Sequence, residues 1–311
     1  MAVAVAFAAA LVLVPLAAWA ARRADFVDRP GVFKVQQVAV PYGGGLACLV
    51  AIAAPLAWSR PSLLIPLALA CALGIADDRR DLDVRIRLVA EVVIGVVAAL
   101  VTVEHSAPFI VAAVVLEVVL LNAANLLDGL DGLLASVAIG GLIGFYVVLS
   151  GGAATLAAAL AGALAAFLLW NRPPARIYLG DGGSYLVGTA LAILFLSALD
   201  AGAPAASAAA LFVGVPVGDT VIAIVRRARV RRPILQGDRG HVYDQLVDRG
   251  LRVGTVVVAC AVVQLAFTAI GVVVGSLDTV PALIVAGVTI GVVGIAALWV
   301  FTSPRTWFTD A

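Results

Sequence analysis

The sequence predicts an all-α, polytopic integral membrane protein with about 10–11 transmembrane helices, its N-terminus outside and its functional face on the cytoplasmic side. Three observations carry this. Hydrophobic residues make up 63% of the 311-residue chain and charged residues 13%, whereas a soluble domain is seldom more than about half apolar. The apolar residues gather in eleven runs, most of them close to the roughly 20 residues that cross about 30 Å of hydrocarbon as a helix. The basic residues fall almost wholly on alternate connections between those runs.

The first run, 2–21, begins MAVAVAF without a basic leader, and Arg22 and Arg23 follow it; it reads as a retained helix rather than a cleaved signal peptide. Runs 43–58 and 62–76 flank Arg60, and 88–104 follows the charged stretch DDRRDLDVRIR. Runs 107–127 and 132–150 flank a polar interruption, and 153–170 ends before Arg172 and Arg176. Runs 184–200 and 206–225 come next; 253–275 and 280–301 lie beyond the longest polar connection. Gly, Ala and Val lie all round these runs, which suits helices that face lipid or pack through small residues and not an amphipathic soluble bundle. No linker or tandem repeat divides the chain, so 1–311 reads as one domain with its motifs in about 25–250.

Each connection takes the number of the run it follows. Connection 1 carries Arg22, Arg23, Arg29 and Lys34; connection 3 carries Arg79, Arg80, Arg85 and Arg87; connection 7 carries Arg172 and Arg176. Connection 9 holds eight arginines between Arg226 and Arg252, so 18 of the 20 basic residues lie on odd connections. Arg305 follows the last run on the same side and only Arg60 falls opposite. The odd connections are therefore expected in the cytoplasm. Cys48, Cys71 and Cys260 each sit inside an apolar run without paired spacing, as small hydrophobes do.

Acids that composition cannot explain fall on the same connections. They are Asp77 and Asp78 at connection 3, Asn125, Asp128 and Asp131 at connection 5, Asp181 with Ser184 at connection 7, and Asp238 with His241 at connection 9. A carboxylate near a bilayer centre costs about 2.5–3.5 kcal/mol on insertion scales. Such groups need water, a cation or a partner. Acids converging at the mouth of a helical bundle suit a hard cation, since Mg²⁺ takes oxygen ligands and leaves positions for phosphate; nearby arginines suit an anionic ligand. Together they describe a diphosphate site.

Blander readings stand beside these. Adjacent acids on a helix point in different directions, so one of Asp77 and Asp78 can be a cap. Gly129 and Gly132 also suit a plain helix-ending loop, though that leaves the acids unexplained. GDGGS is a generic turn by itself; at a helix start its backbone N–H groups can also meet phosphate. His241 alone reads as a surface histidine, and His105, on an even connection, has no assigned role. The arginine run 226–232 suits a topology determinant or lipid-headgroup contact. Glu117 and Asp219, within apolar runs, are structural acids facing the bundle interior or functional ones.

Five stretches taken together resemble the polyprenyl-phosphate N-acetylhexosamine-1-phosphate transferases, in the family's order. They are FVDRPGVFKVQQVAVPYGGGLA, the pair Asp77-Asp78 with Asp81-Leu82, NAANLLDGLDGLLAS, PPARIYLGDGGSYLVG and DRGHVYDQLVDRG. NAANLLDGLDGLLAS is the most specific, being similar to NxxNxxDGxDGL. The resemblance implies a glycosyltransferase of family 4 that moves a sugar-1-phosphate from a UDP-sugar to undecaprenyl or decaprenyl phosphate, releasing UMP. That would be the first membrane step of a cell-envelope glycan pathway. It implies Mg²⁺, or Mn²⁺ in its place, with Asp181 as main ligand and Asp77 and Asp78 beside it. Asn125, Asp128 and Asp131 would line the nucleotide pocket, Tyr178 would stack on uracil, and His241 would approach the diphosphate. Arg85, Arg87 and Lys34 are the candidate phosphate contacts, and Asp77 the group that deprotonates or orients the acceptor. The partners so implied are polyprenyl phosphate, a UDP-sugar, the lipid bilayer and a second copy in a homodimer, without nucleic acid.

The histidine motif keeps only His241, followed by Val242, Tyr243 and Asp244. A PxHHHFE-like stretch is absent, which argues for the N-acetylglucosamine branch over the muramoyl-pentapeptide branch. In the first connection the usual basic pair and histidine are reduced to Phe33-Lys34 and Gln36-Gln37. An ion-coupled secondary transporter predicts repeats and midplane polar groups instead. A CDP-alcohol phosphotransferase would continue its DG motif with AR, where this chain has GLLASVAIGGL after Asp131. The thinned histidine motif also fits a catalytically inert, prenyl-lipid-binding relative.

Overall fold

The computed structural model describes residues 1–29, 38–102, 106–233 and 238–302; Lys34 and His105 lie outside them. Helix α1 (Ala2–Arg23) leads to a two-residue strand, β1 (Val27–Asp28), that pairs antiparallel with β2 (Val40–Pro41). Then come α2 (Gly44–Ser59), α3 (Leu64–Arg80), α4 (Val84–Val101), α5 (Ala107–Leu127), α6 (Leu133–Val148), α7 (Gly151–Asn171) and α8 (Asp181–Ala201). A bent pair follows, α9 (Ala203–Phe212) and α10 (Gly214–Arg229). A short α11 (Val242–Asp248) precedes α12 (Val253–Gly275) and α13 (Thr279–Thr302).

Every apolar run of the sequence is helical, and the chain is a multi-pass membrane protein. Helices α1, α3 with its 3₁₀ lead-in, α5, α7, α8, α12 and α13 are long and apolar enough to span, and the bent pair makes up to eight. The remaining three runs are shorter or more charged. Helices α2 and α6 have 16 residues each, about 24 Å at 1.5 Å per residue, and α4 carries Arg85, Arg87 and Glu91. It begins at Val84 rather than 88 because the Asp83 carboxylate accepts from Arg85 N–H at 2.8 Å and caps it.

Helix α8 is the axis of the bundle, buried along nearly its whole length against α2, α3, α5, α7 and α9. Small residues make that possible: a Cβ on Gly188 would lie 2.4 Å from Leu121 Cα of α5. Helix α13 buries almost nothing. Cys48 and Cys71 are buried among the aliphatic side chains of α2 and α3, and all three thiols are free.

Connections 2, 4 and 6 meet at one end. There Arg60 Nη2 donates to Val101 O at 3.1 Å and to Thr102 O, and its side chain packs on Gly152 at the start of α7. The odd connections meet at the other.

Run 206–225 is one segment in sequence but bends by 66° between α9 and α10. Pro216 has no N–H for Phe212 O, and Val215 N–H turns away from Leu211 O. The carboxamide of buried Gln264, on α12, fills the gap: Nε2 donates to Leu211 O at 3.2 Å and Phe212 O at 3.0 Å, and Oε1 accepts from Val215 N at 3.1 Å. Gln264→Leu leaves three buried backbone groups unpaired and is expected to destabilise the protein by about 1–3 kcal/mol. Denaturant titration in mild detergent reads this, and an unchanged midpoint would show that the bend holds without the amide.

Candidate functional site

The polar residues at the odd end converge on a cavity of about 370 Å³. Connection 1 supplies Asp28 and Tyr42, connection 3 Asp77, Asp78 and Asp81, connection 5 Asn125, Asp128 and Asp131, and connection 7 Asn171, Tyr178 and Asp181. Seven of the lining residues are aspartates, and no Lys or Arg lines it among the described residues.

The adjacent acids at the end of α3 have separate tasks. Asp78 reaches across to another helix: Oδ1 accepts from Asp181 N–H at 3.0 Å and Oδ2 from Gly182 N–H at 3.3 Å, so it caps α8. The cap expected for one of the pair is real but not on its own helix. Asp77 accepts from Leu82 N–H at 2.9 Å, from Arg87 Nη1 at 3.0 Å and from the Tyr185 hydroxyl. The GDGGS turn does open a helix, yet its N–H groups do not face the cavity unpaired. Asp78 takes the first two, and Gly180 O accepts from Gly183 and Ser184. The expectation that they meet phosphate is corrected by that capping.

At the end of α5, Asn125 Nδ2 donates to Asp181 Oδ1 at 2.7 Å and to Ser184 Oγ at 3.2 Å. Asp131 accepts from Ala175 N–H at 2.8 Å. Asp128 takes no hydrogen bond among the described residues. Burial, then the Asp181 and Asp78 charges, pushes its carboxyl well above the usual range. Burial raises Asp131 as well, against the Ala175 N–H. Gly132 has φ of 80°, a left-handed turn open to glycine, and its N–H donates to Asn171 Oδ1 at 2.8 Å.

The chain at Tyr178 is zipped to the first connection: Tyr178 N–H donates to Pro41 O, Gly44 N–H to Tyr178 O and Gly45 N–H to Leu179 O, at 2.9–3.1 Å. Tyr42 lies 6.2 Å from the Tyr178 ring. Burial, then Asp131, Asp28 and Asp128, pushes the Tyr178 phenol up to about 12.

The remaining candidates stand outside the cavity wall. Arg87 is held by Asp77 and Arg85 is exposed. His241 is buried: Nδ1 lies 2.6 Å from Asp219 Oδ2, and the ring stacks 5.4 Å from Tyr243. Tyr243 donates to Leu126 O at 2.8 Å and backs onto Gly129 in the cavity wall. The surface-histidine reading is thereby excluded. Two of the run's arginines, Arg226 and Arg227, clasp Asp238. Burial raises that carboxyl, but the two guanidiniums outweigh it and hold it at about 2.

An all-oxygen donor set with seven carboxylates fits a hard divalent cation. Among the described residues no three acidic or imidazole side chains enclose an ion by themselves.

Sequence reasoning assigned no role to Asp28, Tyr42 and Asn171. It also missed two glycines that bring backbones together: a Cβ on Gly74 would lie 2.2 Å from Asp181 C and O, and one on Gly45 2.3 Å from Gly183 Cα.

A family model described as glycosyl transferase family 4 matches residues 61–199. The chain is 29% identical over 268 residues, 78% of its length and 75% of the relative's, to the probable undecaprenyl-phosphate N-acetylglucosaminyl 1-phosphate transferase of Bacillus subtilis. It is 34% identical over 240 residues, 72% and 73% of the two chains, to the undecaprenyl-phosphate alpha-N-acetylglucosaminyl 1-phosphate transferase of Thermotoga maritima. With the phospho-N-acetylmuramoyl-pentapeptide-transferase of a Synechococcus it shares 50% identity over 82 residues, 24% of this chain.

Proposed function

Since this chain belongs to glycosyl transferase family 4, among the polyprenyl-phosphate N-acetylhexosamine-1-phosphate transferases, we propose that it moves N-acetylglucosamine-1-phosphate from its UDP-sugar to polyprenyl phosphate. The products are polyprenyl-diphospho-N-acetylglucosamine and UMP. One observation carries the reading: four odd connections deliver seven aspartates and Asn125 to a single cavity at one end of a membrane bundle.

An oxygen of the acceptor phosphate attacks the sugar-bearing phosphorus in line, and the bond to UMP breaks. Catalysis therefore rests on positioning and charge neutralisation. A phosphate monoester, with a second pKa near 6, is already largely ionised at neutral pH and needs little help from a base. Asp77, already accepting from three donors, is better placed to hold Arg87 at the site's edge for the acceptor phosphate than to take a proton. Asp181 and Asp128 would hold Mg²⁺, with Asp78 beside them; Asn125 fixes Asp181 Oδ1 and leaves Oδ2 for the ion. Bound Mg²⁺ supplies charge neutralisation of the diphosphate and of the leaving UMP. Tyr178 would stack on uracil and Asp131 would border the nucleotide.

The arginine distribution supports a cytoplasmic position for this end of the bundle. A transporter is not favoured, because most of the acids gather at one end, and Glu117, buried midway along α5, accepts from the Thr189 hydroxyl of α8 as a structural acid.

Purified protein given polyprenyl phosphate, Mg²⁺ and a panel of UDP-sugars is expected to release UMP with UDP-N-acetylglucosamine. The release should stop with EDTA, return with Mg²⁺, and be weak or absent with UDP-N-acetylmuramoyl-pentapeptide. Ion-driven uptake into vesicles without UMP release from any donor would overturn the reading.

A further inference from the structure

The mouth of the cavity is backed by an arrangement that the acid cluster does not explain. Asp219 lies on α10, five residues beyond the break, and is buried. Its two oxygens face two neighbouring groups of the same segment: Oδ2 lies 2.6 Å from His241 Nδ1 and Oδ1 accepts from Val242 N–H at 2.7 Å. Val242 is the first residue of α11, so one carboxylate both caps that helix and engages the histidine ring. The ring is fixed on its face as well, by Tyr243, whose hydroxyl is tied to Leu126 O at the end of α5.

We propose that Asp219 is the positioning residue for His241, accepting from Nδ1–H so that Nε2 is turned away from the carboxylate and, protonated in the imidazolium, donates to the substrate's diphosphate. A carboxylate accepts and does not donate when ionised, so the nitrogen facing it carries the proton. The rotation of the ring and the identity of its outward nitrogen are then settled before substrate arrives. The proposal rests on the reading that His241 acts on the diphosphate. It also explains why a single histidine suffices in this stretch: a ring held on one edge, one face and its own backbone needs no neighbouring imidazole to orient it. Gln264 belongs to the same device, since the bend that it stabilises sets the direction of α10 and hence of Asp219.

The chain has two histidines, so a His105→Gln background leaves His241 alone in a spectrum of [¹⁵N]histidine-labelled protein in detergent. Parent protein is expected to show Nδ1 protonated. Asp219→Asn keeps the shape and an oxygen for Val242 N–H but offers the ring a donor, so the signal should shift to the Nε2–H form. Turnover should fall about 10–100-fold with KM little changed. The double variant Asp219→Asn/His241→Ala should be no slower than His241→Ala, because the two side chains act as one unit. A merely structural acid would instead lower the unfolding midpoint, leave Nδ1 protonated and give additive losses, which would overturn the proposal. Full turnover with the Nδ1 proton lost would overturn it too. Should the parent protein show the Nδ1–H signature yet transfer no sugar phosphate, the transferase reading fails while the pairing stands.

Discussion

Asp181→Asn is expected to lower UMP release by about a thousandfold or more, roughly 4 kcal/mol of transition-state stabilisation, while the protein stays folded. The loss should be large because this carboxylate is the one shared by three structural features. It opens the axial helix α8, it is braced by Asn125, and it faces Asp78 and Asp128 across the cavity. An amide has the same shape but donates on one side and carries no charge, so cation binding suffers while packing does not. Folding should even be eased, since removing one of several crowded carboxylates relieves repulsion. Two measurements check this: UMP release across a Mg²⁺ titration, and the unfolding midpoint in detergent. Near-normal rates with an unchanged Mg²⁺ dependence would remove Asp181 from the site.

Gly74→Ala is expected to cost turnover at least about a hundredfold although it adds a single methyl group and touches no substrate. The new Cβ would lie 2.2 Å from the Asp181 carbonyl and 2.4 Å from Gly182 N. Those are backbone atoms, so α3 or the start of α8 must move. A displacement of about 1 Å is enough for a loss of that size where catalysis rests on alignment, and overpacking adds about 1–3 kcal/mol of destabilisation. The same shift would part Asp78 from the two N–H groups it caps. Asp78 and Gly74 lie one turn apart on α3, so the residue that seats α8 and the residue that lets it approach share a face. Full activity and an unshifted midpoint for Gly74→Ala would show that the start of α8 has slack.

The positions of the helices were legible because lipid demands long apolar runs, and the acids were legible because hydrocarbon penalises them. The bend in run 206–225 had a visible signal in Gly214 and Pro216, but its fixing did not: Gln264 lies 49 residues from Val215. Asn125, Asp128, Asp131 and Asp181 could be grouped from parity and resemblance, and the structure brings them together. Asp78 could not be read as the cap of α8, because its partners lie 103 and 104 residues away. Gly45 and Gly74 were hidden for another reason. In helices already rich in glycine and alanine, a glycine needed for backbone approach looks like any other. Lys34 falls outside the described residues.

The clasp of Arg60 on Val101 and Thr102 ties the far end of the bundle together, while the acidic hollow is fed by odd connections alone. A lipid glycosylated in such a one-sided workshop leaves with its sugar on the side where it was made. Any later step on the opposite surface must then be served by separate machinery able to flip a diphosphate-linked headgroup across the bilayer.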